Sequence, residues 1–382
     1  MGVRNLAFSV DEYRSRTAKV QAAMQREDLD ALLIHDRASI CYLAGVENCY
    51  MTAYYAAVVL AQGEPILLAS EFEILNALVG GWSEQRVSFA VREDPIRATC
   101  RLLLELNLGQ KRIGIQPAKL SAERYEKLRS GLPDAKIVDA GAILPAAMLI
   151  KSPAEIAYLR DAGRLSTLGM EAAFSAVAAG RTDNDVAAAA AEAMLRAGSE
   201  FMCIDPIVTV GERSGIPHST FRRTTLQAGD AIFIEVGGCM CRYSAPLMRT
   251  AAIVPISDEI QRATDACRDS LNALLAAMRP GSLARDAAAQ AKAAWRPLCE
   301  ELIWHGTYAY SVGLGFPPDW NDAPACISEE SELVLEPGMC FHATTTLRRA
   351  ARFGVAMSET ILISDSGHEV LTGTSRALRV VH

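Results

Sequence analysis

The 382-residue sequence contains no apolar run that approaches the ~18 residues of a membrane-spanning helix. Its first residues lack the continuous apolar stretch of a secretory signal, so we expect a cytoplasmic protein. Positive charge is not in excess either, because 45 Asp and Glu against 38 Lys and Arg give a net charge of −7. No basic run overturns this balance, and a nucleic-acid partner is therefore not expected.

A regular cysteine framework is also absent, because the ten cysteines follow no regular spacing. Disulfide frameworks are typical of much smaller secreted domains, so we expect reduced thiols. Cys239 and Cys241 form one C-x-C pair, but no second cysteine pair stands at the spacing of a zinc site. We interpret the two as residues of a strand or turn.

The hydrophobic content of 50% allows a large core. The length favours two domains, because single cores stop growing near ~250–300 residues. Alternating strand and helix patterns over the first 140 or so residues predict a three-layer α/β domain. Ser152, Pro153 and Glu155 then have the order typical of a helix N-terminus. We therefore expect an N-terminal domain at residues 1–145 and a C-terminal domain at residues 146–382.

The C-terminal part contains an internal repeat. Residues 226–235 (LQAGDAIFIE) and 335–344 (LEPGMCFHAT) share a Leu-x-x-Gly start and a following apolar run. An Ala-rich segment with a predicted helix start and a hydroxyl N-cap precedes each copy, near Gly180 and Gly281. The repeat predicts two similar strands around one cavity, of which one ends in a carboxylate and the other in a hydroxyl.

Seven segments, in this order, carry a specific resemblance to a known superfamily. They are IKSPAEIAYLRDAG (150–163), IPHST (216–220), AGDAIFIEVGG (228–238), RYSAPLMRT (242–250), YSVGLGF (310–316), LEPGMCFH (335–342) and SETILISDSGHEVL (358–371). Together they resemble the creatinase and aminopeptidase P superfamily, and most of all its creatinase and ectoine hydrolase branch. The resemblance implies a two-domain α/β protein, with a creatinase-like N-terminal domain and a C-terminal pita-bread α+β domain that has an internal pseudo-twofold repeat. It also implies a homodimer.

In the dinuclear peptidases of this superfamily, five positions carry metal ligands. Two dications need several carboxylates or imidazoles that converge on them. Proline cannot act as a ligand, and only two of the five positions keep a charged oxygen donor here, so we expect no metal cofactor. The resemblance places the five positions at Glu235, Pro246, Tyr310, Thr344 and Glu359.

The resemblance also implies the catalytic residues. His218 falls at the position of the histidine that acts as acid and base in creatinase, a role that suits imidazole near neutral pH. A surface turn histidine is the alternative. We expect Glu235 and Glu359 to complete the catalytic set by holding a cationic group of the substrate through paired hydrogen bonds. An internal ion pair of Glu235 with Arg249 or Arg242 remains the alternative.

Further residues are expected to bind the substrate. His342 lies two positions before Thr344, so both side chains would face the same side of a strand. A buried core histidine is an equally good interpretation. Tyr310 and Trp320 belong to an aromatic-rich segment that would wall a pocket, although such residues are as often plain packing. The full substrate-binding set is Tyr243, Arg249, Tyr310, Trp320, His342 and Thr344.

These features predict a metal-independent hydrolase of a non-peptide C–N bond. The expected substrate is a small zwitterionic amidine, cyclic amide or N-acyl amino acid, with ectoine hydrolase as the nearer example. Creatine is not expected, because Met248 and Thr344 replace the carboxylates that creatinase directs at the guanidinium group. Two alternatives remain open: an Xaa-Pro metalloaminopeptidase and a catalytically inactive pita-bread binding module.

Overall fold

The computed structural model describes residues 5–48, 53–304 and 306–382. The chain divides into two units, with the boundary between Met148 and Leu149. In the ranges just given, no helix is both long and apolar enough to cross a membrane. The two-domain α/β architecture expected from the sequence is confirmed.

The N-terminal unit is built around a six-stranded mixed sheet with the strand order β4-β3-β2-β1-β5-β6. Alternate side chains of β1, Ala31 and Leu33, pack with apolar residues of α4 and α5 in one buried cluster. The strands are β1 (Ala31–Ile34), β2 (Tyr55–Leu60), β3 (Ile66–Ser70), β4 (Arg86–Phe89), β5 (Arg112–Ile115) and β6 (Lys136–Asp139). The helices are α1 (Val10–Arg26), α2 (Arg37–Ala44), α3 (Ile74–Gly80), α4 (Pro95–Glu105), α5 (Ala122–Gly131) and α6 (Ile143–Leu149).

The C-terminal unit contains two helices and a long antiparallel hairpin, and then the same arrangement again, which agrees with the repeat in the sequence. The first half comprises α7 (Pro153–Ala176), α8 (Asp183–Arg196), β7 (Ile207–Val210), β8 (Ala231–Met240) and β9 (Tyr243–Ile253). The second half begins with α9 (Asp258–Ala277) and α10 (Ala284–Trp295). Its strands are β10 (Ile303–Trp304), β11 (Ala309–Ser311), β12 (Cys326–Ile327), β13 (Cys340–Arg349), β14 (Phe353–Ser364) and β15 (Gly367–Val370), followed by β16 (Arg379–Val381).

Local sequence explains most helix starts in this unit. Ser152 caps α7 in a capping box with Glu155, and Thr182 caps α8 in the same way. The hydroxyl N-cap expected for α10 is wrong, because Leu283 occupies that position and makes no side-chain capping bond. The backbone of α10 is tied instead to the segment before the second strand copy, where Ala284 N donates to Leu333 O at 2.8 Å.

Side chains of β9 and β14 join the two hairpins. Thr250 Oγ1 donates to Ala356 O at 3.0 Å and accepts from Ala356 N at 2.8 Å. Thr360 Oγ1 donates to Pro246 O at 2.8 Å. These bonds satisfy polar groups that the contact between the hairpins would otherwise bury without partners.

A buried ion pair reinforces this junction. Arg249 on β9 donates to Glu359 Oε1 on β14 at 2.6 Å, and both side chains are at most 2% exposed. Arg376 and Thr372 donate to the same carboxylate at 2.9 and 2.5 Å. Other N–H groups of Arg249 reach main-chain carbonyls, including Ser375 O at 3.0 Å. Glu359 and Arg249 therefore have a structural role, because their polar atoms are engaged in hydrogen bonds inside the protein.

We predict that Glu359→Gln lowers the free energy of unfolding by about 3–5 kcal/mol, since it leaves the Arg249 charge buried without its counter-ion. Chemical denaturation of the purified variant measures this change. Glu369→Gln is the matched control, because it breaks an exposed pair with Arg160, where a cost of about 0–1 kcal/mol is expected. Equal costs for the two variants would contradict the structural role of Glu359.

Candidate functional site

A cavity of about 420 Å³ lies in the C-terminal unit, where β7, β8, β9 and β13 meet the loops around residues 216–219 and 318–321. Its lining contains apolar side chains and polar side chains, and the polar ones include both acidic and basic groups. The polar lining residues are Thr209, His218, Ser219, Glu235, Thr307, Tyr310, Asp319, Trp320, Asn321, Thr346 and Arg348. The apolar ones are Ile204, Ile207, Ile216, Phe233, Met248 and Pro318.

Glu235 lies on β8, between β7 and β9, and it is opposite Ile207 on one neighbouring strand and Met248 on the other. Its side chain lines the cavity, and the residue is 7% exposed. In the part of the chain that the structure describes, the carboxyl group has no hydrogen bond and no ion pair. Burial raises its pKa to about 8, against a smaller opposing effect of the Arg348 charge. Glu235 is therefore mostly a neutral acid at pH 7.

The ion pair proposed as an alternative for Glu235 is wrong. Arg249 pairs with Glu359. Arg242 donates to main-chain carbonyls, at 2.6 Å to Phe201 O and 3.1 Å to Gly315 O. Neither guanidinium group neutralises the cavity carboxyl group.

His218 lines the same cavity from an exposed loop. The loop follows a 3₁₀ turn at Gly211–Gly215 and is braced by Arg213, whose Nη2 donates to Thr220 O at 2.8 Å. His218 has φ = +56°, in the left-handed region, which costs a residue with a side chain roughly 1 kcal/mol or more. The structure thus brings His218 and Glu235 into one cavity, as the sequence predicts.

A chain of hydrogen bonds runs behind the cavity wall. Trp320 Nε1 donates to Tyr310 Oη at 3.1 Å, and Tyr310 Oη lies 2.7 Å from His342 Nδ1. His342 Nε2 lies 2.6 Å from Ser358 Oγ, which accepts from Met248 N at 2.6 Å. Tyr310 and Trp320 line the cavity, whereas His342 is fully buried behind Tyr310.

The His342 tautomer sets the direction of the Tyr310 hydroxyl. Ser358 already accepts from Met248 N, and His342 Nε2 is the acceptor within reach of its fully buried O–H. The tautomer that satisfies this O–H carries its proton on Nδ1 and donates it to Tyr310 Oη. In that tautomer Tyr310 Oη accepts twice, from His342 and Trp320, and its own O–H points into the cavity that Tyr310 lines. His342 thus positions Tyr310 and does not contact the cavity.

The Trp320 ring needs a glycine on the facing strand. A Cβ atom at Gly237 would lie 2.7 Å from Trp320 Cζ3, which is closer than carbon atoms approach without a clash. Gly237 therefore gives the indole the space it needs to reach Tyr310, whereas its neighbour Gly238 makes room for α7.

Three more of the expected substrate-binding residues do not line the cavity. Tyr243 is fully buried, and its hydroxyl donates to Glu155 Oε1 at 2.7 Å at the start of α7. Thr344 is 1% exposed and donates to Met248 Sδ at 3.2 Å. Arg249 is held in the ion pair with Glu359. Tyr243 and Arg249 occupy the face of β9 opposite to that of the cavity residue Met248. Thr344 shares its face with Thr346 and Arg348, but Met248 covers its hydroxyl.

The register of the second hairpin also corrects the expected role of Glu359. Thr344 on β13 pairs directly with Ser358 on β14, and Ala343 pairs with Glu359. Directly paired residues share one face of a sheet, and neighbours along a strand point to opposite faces. Ser358, one residue earlier than expected, therefore stands beside Thr344. The assignment of Glu359 to the catalytic set is wrong for this reason.

The side chains present do not fit the metal centre that the superfamily implies. With Ser358 as the fifth position, one carboxyl group, that of Glu235, remains among the five. Over the ranges 5–48, 53–304 and 306–382, no group of three or more His, Cys, Asp or Glu side chains is arranged to hold a metal ion. Two dications require more anionic or imidazole ligands than this. The five positions are Glu235, Pro246, Tyr310, Thr344 and Ser358.

Sequence reasoning missed most of the cavity lining, including Thr346 and Arg348. Both lie on β13 beyond the end of the repeat, at steps of two from Thr344. Alternate residues of a strand share one face, so extending the predicted strand beyond Thr344 would have placed all three residues on the same face.

Known proteins resemble the chain over nearly its full length. It is 27% identical to an uncharacterized hydrolase/peptidase, y4tM, of Sinorhizobium fredii, over 99% of this chain and 100% of that protein. It is 25% identical to an ectoine hydrolase of Halomonas elongata, over 98% of this chain and 99% of that protein. The crystal structure of dipeptidase PepE from Mycobacterium ulcerans superimposes with a TM-score of 0.86 at 23% identity, over 98% of this chain and 99% of that one, and shows the shared fold.

Two family models match separate parts of the chain. Residues 16–147 match the creatinase/prolidase N-terminal domain. Residues 157–365, more than half of the chain, match metallopeptidase family M24. The chain therefore belongs to metallopeptidase family M24 and carries a creatinase/prolidase N-terminal domain.

Proposed function

We propose that this chain is a metal-independent hydrolase that cleaves a non-peptide C–N bond in a small molecule. The observation that carries the proposal is that His218 and the buried Glu235 line one cavity, in a family whose metal-ligand positions have mostly been replaced here. The similarity to an ectoine hydrolase supports this class of reaction. Candidate substrates are small amidines, cyclic amides and N-acyl amino acids.

The two titratable groups suit different steps of hydrolysis. His218 is the base, and its imidazole accepts a proton from the attacking water. Glu235 is the acid, because burial keeps its carboxyl group mostly protonated at pH 7 and able to protonate the departing nitrogen. This division of roles replaces the sequence-based expectation that Glu235 acts as an anionic clamp.

Tyr310 stabilises the intermediate. With the His342 proton on Nδ1, its oxygen accepts from both Trp320 and His342, and its O–H points into the cavity. A fixed donor aimed at the oxygen or nitrogen that gains negative charge lowers the barrier without reorganising during the reaction. His342 and Trp320 act through Tyr310 and are positioning residues.

The reaction balances with one water molecule. Water forms a bond to the electrophilic carbon and gives one proton to His218. The C–N bond then breaks as Glu235 transfers its proton to the leaving nitrogen. The proton on His218 passes through solvent to restore Glu235.

We also propose that the protein acts in the cytoplasm as a homodimer, as the resemblance to creatinase led us to expect, and analytical ultracentrifugation measures the oligomeric state.

We predict that His218→Ala lowers turnover by about 10²- to 10⁴-fold, the usual effect of removing an acid–base group. Compounds from the three substrate classes that raise the melting temperature serve as test substrates. His368→Ala is the matched control, because His368 lies on β15 outside the cavity lining, and it should keep wild-type turnover. Wild-type turnover in His218→Ala would contradict the assignment of the base.

Chelator treatment of the purified protein is predicted to leave turnover unchanged, because the donor set does not suit two dications. Metal analysis of the same sample controls for incomplete stripping. Loss of turnover that Mn, Co or Zn restores would overturn the metal-independent mechanism and favour a peptidase. If compounds raise the melting temperature of the protein but neither the treated nor the untreated sample hydrolyses them, a binding module would be favoured.

A pH profile tests the role of Glu235. Its pKa is raised to about 8, and the acid step needs the protonated form. Turnover should therefore persist below this value and fall as the pH rises through about 8. Glu235→Gln keeps the shape of the side chain but cannot transfer a proton. The variant should therefore lose turnover, and any residual turnover should not fall at high pH. An unchanged profile in Glu235→Gln would show that another group is the acid.

A further inference from the structure

One end of the cavity carries unused hydrogen-bond donors. Thr346 and Arg348 alternate along β13, so both side chains face the cavity that they line. Thr346 is 3% exposed, and its Oγ1 has no hydrogen-bond partner among the described residues. Buried hydroxyl groups of this kind normally have a partner, which points to a ligand atom at this position.

The Arg348 guanidinium group is held in place by the protein but not neutralised by it. Its Nη1 donates to Ser214 O at 2.7 Å, and its Cζ lies 4.8 Å from the centre of the Phe233 ring. On the facing strand, a Cβ atom at Gly354 would lie 2.0 Å from Ser214 O and 3.0 Å from Nη1, so the glycine leaves room for this carbonyl and for the guanidinium group that donates to it. Within the described ranges, no carboxylate lies within ion-pair distance of Arg348.

The Arg348 charge is therefore not neutralised by the cavity lining. A guanidinium group in a protein stays charged, although partial burial lowers its pKa. The two carboxyl groups of the lining, Glu235 and the exposed Asp319, form no ion pair with it. A partly buried charge without a counter-ion is costly, and an anionic ligand would offset this cost.

We infer that Arg348 and Thr346 form the subsite for a carboxylate group of the substrate. The inference rests on the proposed function and narrows it. The substrate is a small carboxylic acid whose scissile C–N bond lies near His218, Glu235 and Tyr310 when its carboxylate is bound at the far end of β13.

The donor set fits a carboxylate better than a phosphate. A guanidinium fork binds the two oxygens of a planar carboxylate through parallel hydrogen bonds, and one hydroxyl serves a remaining lone pair. A phosphate brings three oxygens and up to two charges, and Arg348 is the one Lys or Arg side chain among the described residues that line this cavity.

Binding of two matched probes tests the inference. N-acetylglycine carries a carboxylate, and N-acetylglycinamide replaces it by a neutral group of similar size. Isothermal titration of the wild-type chain should show N-acetylglycine binding about 10- to 100-fold more tightly, the range for a hydrogen bond to a charged group. Equal affinities, or no binding of either probe up to its solubility limit, would overturn the inference.

Variants separate charge recognition from loop support. Arg348→Gln keeps a donor for Ser214 O but loses the charge, so it should bind N-acetylglycine 10- to 100-fold more weakly and leave N-acetylglycinamide unchanged. Arg348→Lys should retain part of the preference. Thr346→Val should weaken N-acetylglycine alone by roughly 2- to 12-fold. Arg352→Gln, the same charge change at an exposed residue outside the lining, is the control and should bind both probes as the wild type does.

The outcomes also distinguish this inference from the proposed function. An equal loss of both probes in Arg348→Gln would show that Arg348 only supports the loop, and would overturn the inference while C–N hydrolysis could still stand. Selective loss of N-acetylglycine, in a protein that hydrolyses no C–N bond, would support the subsite and overturn the proposed hydrolase. His218→Ala should keep the preference for N-acetylglycine.

Discussion

The site depends on the cost of burying a carboxyl group without a partner. Glu235 lies in the middle of a sheet, opposite Ile207 and Met248, and the described residues give it no hydrogen bond. Burial therefore favours its neutral form, and the group becomes a proton donor at the pH where most glutamates are anions. Arg348, which lines the same cavity, has no carboxylate within ion-pair distance among the described residues. The unpaired acid and the unpaired cation thus account for the acid of the proposed reaction and for the inferred attraction of an anionic substrate.

The Arg249–Glu359 pair on the other side of the sheet junction has the opposite role. Its carboxylate accepts hydrogen bonds from two arginines and a threonine, so it is a closed network inside the protein. It links β9 to β14, and the pairing of β14 with β13 sets Ser358 beside Thr344 and within hydrogen-bond distance of His342. His342 in turn holds Tyr310. Two glutamates that look similar in the sequence therefore differ because one carboxyl group is satisfied and the other is not.

The sequence was sufficient to predict the two-domain architecture, the repeat and the joint presence of His218, Glu235, Tyr310 and Trp320 around one cavity. These predictions rested on motif order and on helix and strand periodicity, which are local signals. The roles of Tyr243, Arg249 and Glu359 could not be predicted in this way, because a one-residue error in a strand moves a side chain to the opposite face. Thr344 is on the expected face, but Met248 covers its hydroxyl. Arg348 was missed because it lies outside every recognised motif, and its importance arises from contacts with distant residues such as Ser214 and Phe233.

The central claim is that Glu235 remains a neutral acid at physiological pH, and carbon-13 NMR of protein labelled at the glutamate Cδ atoms tests it most directly. We predict one glutamate signal with a titration midpoint of about pH 8, which is absent from Glu235→Gln. Titration of every glutamate near the ordinary value of about 4.3 would contradict the account, because Glu235 would then be an anion and could not supply the proton for the leaving nitrogen.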